Sequence, residues 1–350
     1  MPDIKGKLGQ PDSRTAGQPD SRTAGPLLFA RIRETLKSIP FIYYPVHYAH
    51  LALIGIGSVL SYIEAFIKWQ LYKHTVRFNR NGLNTTESRP RRIIVSLTSY
   101  PARINVVPYV IASILNQTMK PDKIILWLGK DRFPDEKLPT VFSKLKACGV
   151  DVQFREDVGP HTKYFYAFKE YPEDIVITFD DDIVYRPHII GQLYESYLKH
   201  PECVSAIRVN KLTVTPCGDL PPYSCCTPQY KNHAGHKSHL YFATGVGGVL
   251  YPPHSVHPDV FNVEAIMLLS PKADDVWLKF MEVINGTRVA AASNESNVQG
   301  WVVFGSQEYA LSKSNVFGMK NDVQFRAVID AYADWRDSKG RTIQDVIREG

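Results

Sequence analysis

Ile175-Val-Ile-Thr-Phe-Asp-Asp-Asp182 reads as a strand that runs straight into a row of carboxylates. Ile175 to Phe179 is a short β-branched and aromatic run. It follows the turn-like Tyr171-Pro-Glu-Asp174, as a strand covered on both faces should. Asp180, Asp181 and Asp182 then stand at its carboxyl end, where open α/β sheets bind ligands. Adjacent carboxylates repel one another, and burial makes that costly unless they share a cation. Mg2+ and Mn2+ take oxygen ligands and bridge carboxylates to phosphates. The triplet therefore reads as a metal–diphosphate site. The competing reading is a solvated acidic loop at the end of a strand.

Outward from this stretch, strands and helices alternate. Arg92 to Leu97 and Lys123 to Leu128 are apolar, β-branched runs of strand length, and Asp151 to Phe154 reads as a third strand. Between them, Pro108 to Gln117 sets Val110, Ile111, Ile114 and Leu115 on one helical face. Val141 to Cys148 is a helix stopped by Gly149, and Thr162 to Tyr171 is a third helix. Such alternation predicts an α/β chain with a mostly parallel sheet, flanked by helices and joined by right-handed crossovers. Past the triplet, His188 to Lys199, Asp274 to Glu282 and Asp322 to Trp335 read as helices. Residues 209–240 read as an extended loop, and Ala243 to Pro253 mixes glycines with a strand.

The composition, 44% hydrophobic and 22% charged over 350 residues, is that of a globular chain with room for one large domain or two. A net charge of +6 suits anionic substrates or a membrane surface and is too small to indicate nucleic acid. Five cysteines without a CxxC pair argue against a structural zinc site and fit a reducing compartment. Residues 1–40 form a low-complexity tail expected to be disordered, because GQPDSRTA at 9–16 recurs unchanged at 17–24. Residues 41–87 form a hydrophobic helical segment. Within it, 41–63 holds no Lys, Arg, Asp or Glu and is flanked by basic residues. It suits an interfacial membrane helix, a transmembrane anchor or a helix packed on the globular domain. Residues 88–350 carry the alternating pattern.

Four segments bring a family into view: VSLTSYPARI (95–104), DVGPHTKYFYAF (157–168), TFDDDIVY (178–185), and ATGVGGVLYPP (243–253) followed by KADDVWLKF (272–280). In this order and spacing, residues 92–335 resemble the catalytic domain of nucleotide-sugar glycosyltransferases of the GT-A fold, in the family 2-like group. The resemblance implies transfer of a sugar, a hexose by preference, from a nucleotide-diphosphate donor to a glycan or lipid-linked acceptor. It implies Mn2+ or Mg2+ held by Asp180 and Asp182, with Asp180 and Asp181 near the nucleotide sugar. Lys163 would contact the nucleotide phosphates, and Tyr100, Arg103 and Asp131 the base and ribose. Gly247 and Gly248 would lie beneath the donor sugar, and Trp277 would form a platform for the acceptor. Asp275, with Asp274 as alternative, would be the base of an inverting mechanism. His161 departs from the small residue expected there. The implied location is the membrane, with the catalytic domain on the cytoplasmic side; a single-pass anchor is the alternative.

Two other classes compete. A haloacid-dehalogenase-like phosphotransferase would use Asp180 as nucleophile in a DxDx(T/V) pattern, but that motif belongs on the first strand of its domain. A non-catalytic membrane scaffold or lectin-like binder would tolerate loss of Asp182.

Overall fold

The computed structural model describes residues 59–215, 219–294, 300–306 and 320–350. The repeated tail and most of the uncharged run lie outside the described residues. The chain divides into two compact units, residues 1–67 and 68–350. The described part of the first is the opening of helix α1 (59–75), where Val59, Leu60, Tyr62, Ile63, Phe66 and Ile67 are exposed. No helix among the described residues is long and apolar enough to cross a membrane.

The second unit begins ahead of the boundary expected at 88. Trp69 is buried, edge-on to Tyr109 at 5.5 Å and to Trp301 at 6.2 Å. Tyr72 donates its hydroxyl to the Tyr109 carbonyl at 3.2 Å. Sequence alternation gave no sign of this, because the anchors are two aromatic residues inside a polar, basic stretch.

The first half of this unit follows the expected pattern within one or two residues. It comprises β1 (Ile93–Ser99), α2 (Val107–Leu115), β2 (Lys123–Gly129), α3 (Phe142–Ala147), β3 (Asp151–Arg155), α4 (Thr162–Glu170) and β4 (Ile175–Thr178). These strands lie in the order β3-β2-β1-β4, all parallel. The chain therefore works outward from β1 in one direction and then returns to its other side. The carboxyl ends of β1 and β4 flank the point where the winding reverses, the crevice that binds ligands in such sheets.

The second half departs from alternation. It runs through β5 (Ile183–Tyr185), α5 (Ile189–Lys199), β6 (Val204–Ala206), β7 (Val209–Lys211), β8 (Lys237–Ser238), β9 (Tyr241–Ala243) and β10 (Val249–Tyr251). Then come α6 (Val263–Leu269), α7 (Asp274–Ile284), β11 (Val289–Ala291), β12 (Gly300–Val302), α8 (Lys320–Ala331) and α9 (Ile343–Arg348). β10 is antiparallel to β4 on one side and to β6 on the other, and β11 and β8 extend the sheet to eight strands. Residues 209–240, read as a loop, in fact contribute β7 and β8. Ile93, Val95 and Leu97 face one apolar core with α2 and α5. Trp277, Phe280 and Val283 of α7 centre a second core with β9–β11, α8 and α9.

Candidate active site

The residues that follow β1 and β4 meet. Arg103, in the 3-10 turn Pro101–Arg103, donates Nη1 to Asp181 Oδ1 at 2.6 Å and lies 2.9 Å from Asp182 Oδ2 through Nη2. Ser99 Oγ donates to the other oxygen of Asp181 at 2.6 Å. Arg103, Asp181 and Asp182 are all buried. Burial raises the carboxyl of Asp182 to about 7; Arg103 opposes the shift, and Asp180 and Asp181 add to it. Arg103 was expected at the base and ribose. Its fork is instead taken up by the triplet, since a buried carboxylate pair needs a cation nearby. Tyr100 keeps its place beside it, with its ring 5.5 Å from the Arg103 guanidinium.

Lys163, on the first turn of α4, gathers the remaining carboxylates. Its Nζ lies 3.0 Å from Asp180 Oδ1 and 2.7 Å from Asp274 Oδ2. The ammonium is buried rather than on an exposed helix face. Burial lowers its pKa, but Asp180, Asp274 and Asp275 outweigh that and hold it well above the usual range. Ser96 of β1 fixes the backbone beneath: its hydroxyl donates to the Lys163 carbonyl and accepts from Trp127 Nε1 at 2.8 Å.

Asp274 and Asp275 open α7, whose N-cap is Ala273 without a side-chain cap. Neither is the N-cap itself; both are acidic residues of the first turn, where the helix N-terminus favours them. The Gly245 N–H donates to Asp275 at 3.3 and 3.2 Å from its two oxygens. Burial raises the Asp275 carboxyl, and Asp274 adds to that while Lys163 opposes it. A Cβ added to Gly245 would sit 2.8 Å from Lys163 Nζ and 3.1 Å from Asp180 Oδ1, so a larger residue there would push on the ion pair. Gly247 and Gly248 are crowded from behind: a Cβ at the first would meet the Arg208 backbone at 3.1 Å, and at the second Phe179 at 2.5 Å.

Asp131 and Trp277 make no ion pair with this cluster. Asp131 is exposed after β2, with its carboxylate 3.6 Å from Arg132 Nε. Trp277 has no exposed face; it lies in the second core, 6.3 Å from the Tyr332 ring. The helical phase that turns Asp275 to the site turns Trp277 inward, so it cannot be an acceptor platform. Sequence reading also missed two residues. His161 is buried between Tyr164 and Ser270, and Arg208 lies between β6 and β7, its carbonyl bonded to Thr244 ahead of Gly245. No spacing rule marks either, because each acquires its surroundings only through tertiary contacts.

No protein-family model matches this chain, and no curated protein matches it. Among solved structures it is similar to S. aureus TarS 1–349 in complex with UDP, at 15% identity over 58% of each chain and a TM-score of 0.39. It is similar to a CMP:2-keto-3-deoxy-manno-octonic acid synthetase complexed with CTP at 12% identity, covering 65% of this chain and 99% of that one, with a TM-score of 0.36. A third is glucosyl-3-phosphoglycerate synthase from Mycobacterium tuberculosis with Mn2+ and UDP, at 17% identity, 35% and 50% coverage and a TM-score of 0.26. The chain thus spans half the length of that synthase.

Proposed function

We propose that this chain is a nucleotide-sugar glycosyltransferase of the GT-A type, inverting, with Asp275 as base. The observation that carries the reading is the Lys163 clamp. One buried ammonium joins the carboxylate at the end of β4 to the carboxylate pair that opens α7. Donor-side and acceptor-side chemistry thereby share one crevice, at the place in the sheet where ligands bind.

Among the described residues, no group of three or more His, Cys, Asp or Glu is placed to hold a metal ion. Mg2+ ordinarily takes only one or two protein carboxylates, with substrate phosphates and water completing its shell. Asp180 and Asp182 fit that limited role, and the raised carboxyl of Asp182 is one that a cation would favour in its ionised form. When bound, such a cation stabilises charge on the departing diphosphate. The protein's own groups do the rest. Arg103 fixes Asp181 and Asp182, and Lys163 fixes Asp180 and Asp274. Asp275, oriented by Gly245 N–H, takes the acceptor hydroxyl's proton. The hydroxyl oxygen then bonds to the anomeric carbon while the carbon's bond to the diphosphate oxygen breaks. A carboxylate raised toward neutrality is suited to that task.

Nothing specific favours the phosphotransferase reading. Asp180 follows the fourth strand in sequence, not the first, and is clamped by Lys163. The apolar residues of 59–67 and the neighbouring Lys68 support placement of α1 at a membrane surface, as part of the same proposal.

Calorimetry of uridine diphosphate with Mn2+ and with EDTA tests the reading, together with transfer assays. Binding is expected only with the cation. Asp275→Asn is expected to cut transfer by about 10²–10⁴-fold while uridine diphosphate binding stays unchanged. Equal affinity in EDTA would sink the metal assignment. Full activity in both Asp275→Asn and Asp274→Asn would remove the base.

A further inference from the structure

Every other basic side chain at the carboxylate cluster is engaged: Arg103 with Asp181 and Asp182, Lys163 with Asp180 and Asp274. Arg208 differs. It has no ion-pair partner among the described residues, and its Nε, like that of Arg103, is enclosed without a hydrogen-bond partner. Its backbone is fixed. The Arg208 carbonyl accepts from Thr244 N at 3.1 Å and Thr244 Oγ1 at 3.3 Å, and Ile207 N donates to Gly248 O at 3.3 Å. That is the same loop whose Gly245 N–H holds Asp275. Burial depresses the guanidinium's pKa while Tyr223, then Asp275 and Asp180, act on it electrostatically and raise it. Tyr223 is itself held, its hydroxyl accepting from Asn210 Nδ2 at 2.9 Å.

A guanidinium stays charged, and a half-buried one without a counterion is costly. Its fork matches the paired oxygens of a phosphate or carboxylate. We infer that Arg208 binds an anionic group of the acceptor, so that the acceptor carries a phosphate or carboxylate close to the hydroxyl that attacks. The inference rests on the transferase reading, because it is Asp275's role as base that makes this the acceptor side. A neutral acceptor would leave the guanidinium without a direct partner beside the reacting hydroxyl. An anionic one is oriented by it, with its hydroxyl toward Asp275.

The test uses the full chain saturated with uridine diphosphate and Mn2+, titrated with glycerol phosphate and, separately, glycerol. Saturation keeps the probe off the diphosphate site. Wild type is expected to bind glycerol phosphate and not glycerol. Arg208→Gln should weaken that binding at least about tenfold, as loss of a charged hydrogen bond does. Arg208→Lys should restore part of it, and uridine diphosphate affinity should stay within about twofold throughout. Equal binding of glycerol and glycerol phosphate would overturn the inference. So would an Arg208→Gln protein that loses uridine diphosphate and keeps glycerol phosphate, which would make the arginine a donor ligand. If uridine diphosphate fails to bind wild type but glycerol phosphate still binds through Arg208, the transferase reading falls and the anion site stands.

Discussion

His161 makes two hydrogen bonds whose direction chemistry fixes. The Ser270 carbonyl, 2.7 Å away, can only accept, so Nε2 carries the proton. Nδ1 then accepts from the Tyr164 hydroxyl at 2.8 Å. The imidazole ties the segment before Lys163 to the segment before Asp274, and it is fully buried. Burial lowers its pKa to about 4; Asp274 and the Ser270 carbonyl oppose the shift and Lys163 adds to it. A histidine titrating lower in the folded chain than in the unfolded one, near 6.5, contributes stability above pH 6.5 that is lost as pH falls toward 4. The full effect is bounded at about 3 kcal/mol. His161→Gln should flatten this part of the stability curve, measured by urea unfolding at pH 7, 5.5 and 4.5. A difference between wild type and variant that stays constant across those values would refute the assignment. Sequence alone marked His161 only as a departure from an expected small residue. The carboxylates at 180–182 and 274–275 were legible because charge beside an apolar run is visible in one dimension. Their partners were not, because Arg103 and Lys163 reach them across about 80 and 110 residues of chain, distances that only the winding of the sheet closes.

At the scale of elements, β1, β2 and β4 were legible as apolar runs long enough to stand out and β3 by its place in the alternation, whereas of β5 to β12 only β10 was expected, within 243–253. Those are two or three residues long, too short to show a period of two, and they are held by their neighbours in the sheet rather than by their own pattern. β10 illustrates the point. It lies between β4 and β6, antiparallel to both, and begins immediately after Gly248. Gly248 has φ +89°, a conformation that favours glycine, and an added Cβ would lie 2.5 Å from Phe179 Cε1. Phe179 precedes Asp180 directly. Gly248→Ala should therefore cost on the order of 1–3 kcal/mol through backbone strain, more if Phe179 cannot yield, and should displace the triplet as well. Chemical denaturation together with uridine diphosphate binding checks both effects. A stable variant with unaltered binding would mean that the loop relaxes freely.

For the molecule as a whole, the decisive boundary is where the globular unit begins. Trp69 and Tyr72 pack against Tyr109 and Trp301, so a chain starting at Ser88 loses a buried tryptophan from the first core. Removing such a side chain typically costs about 3–5 kcal/mol. A chain starting at Lys68 should unfold cooperatively near the full-length midpoint, whereas one starting at Ser88 should melt well below it. Equal midpoints in thermal scans would show that the aromatic cluster is dispensable. Flotation with liposomes separates the other role of this region: the Lys68 chain should stay in solution if 59–67 supplies the membrane contact.

The free thiols carry a practical consequence. Cys148 closes α3 within the first core, Cys203 lies buried just ahead of β6, and Cys225 is exposed. Burial raises the pKa of both interior thiols, that of Cys203 to about 12. Neither reacts until the structure around it opens, because the thiolate is the nucleophile. With the other cysteines changed to serine, alkylation of Cys148 reports opening beside β3 and that of Cys203 opening beside β6. The rate follows the population of the open form when closing outpaces the reagent, and the opening rate itself when it does not. The β3 and β6 parts of the sheet thus come with separate chemical clocks.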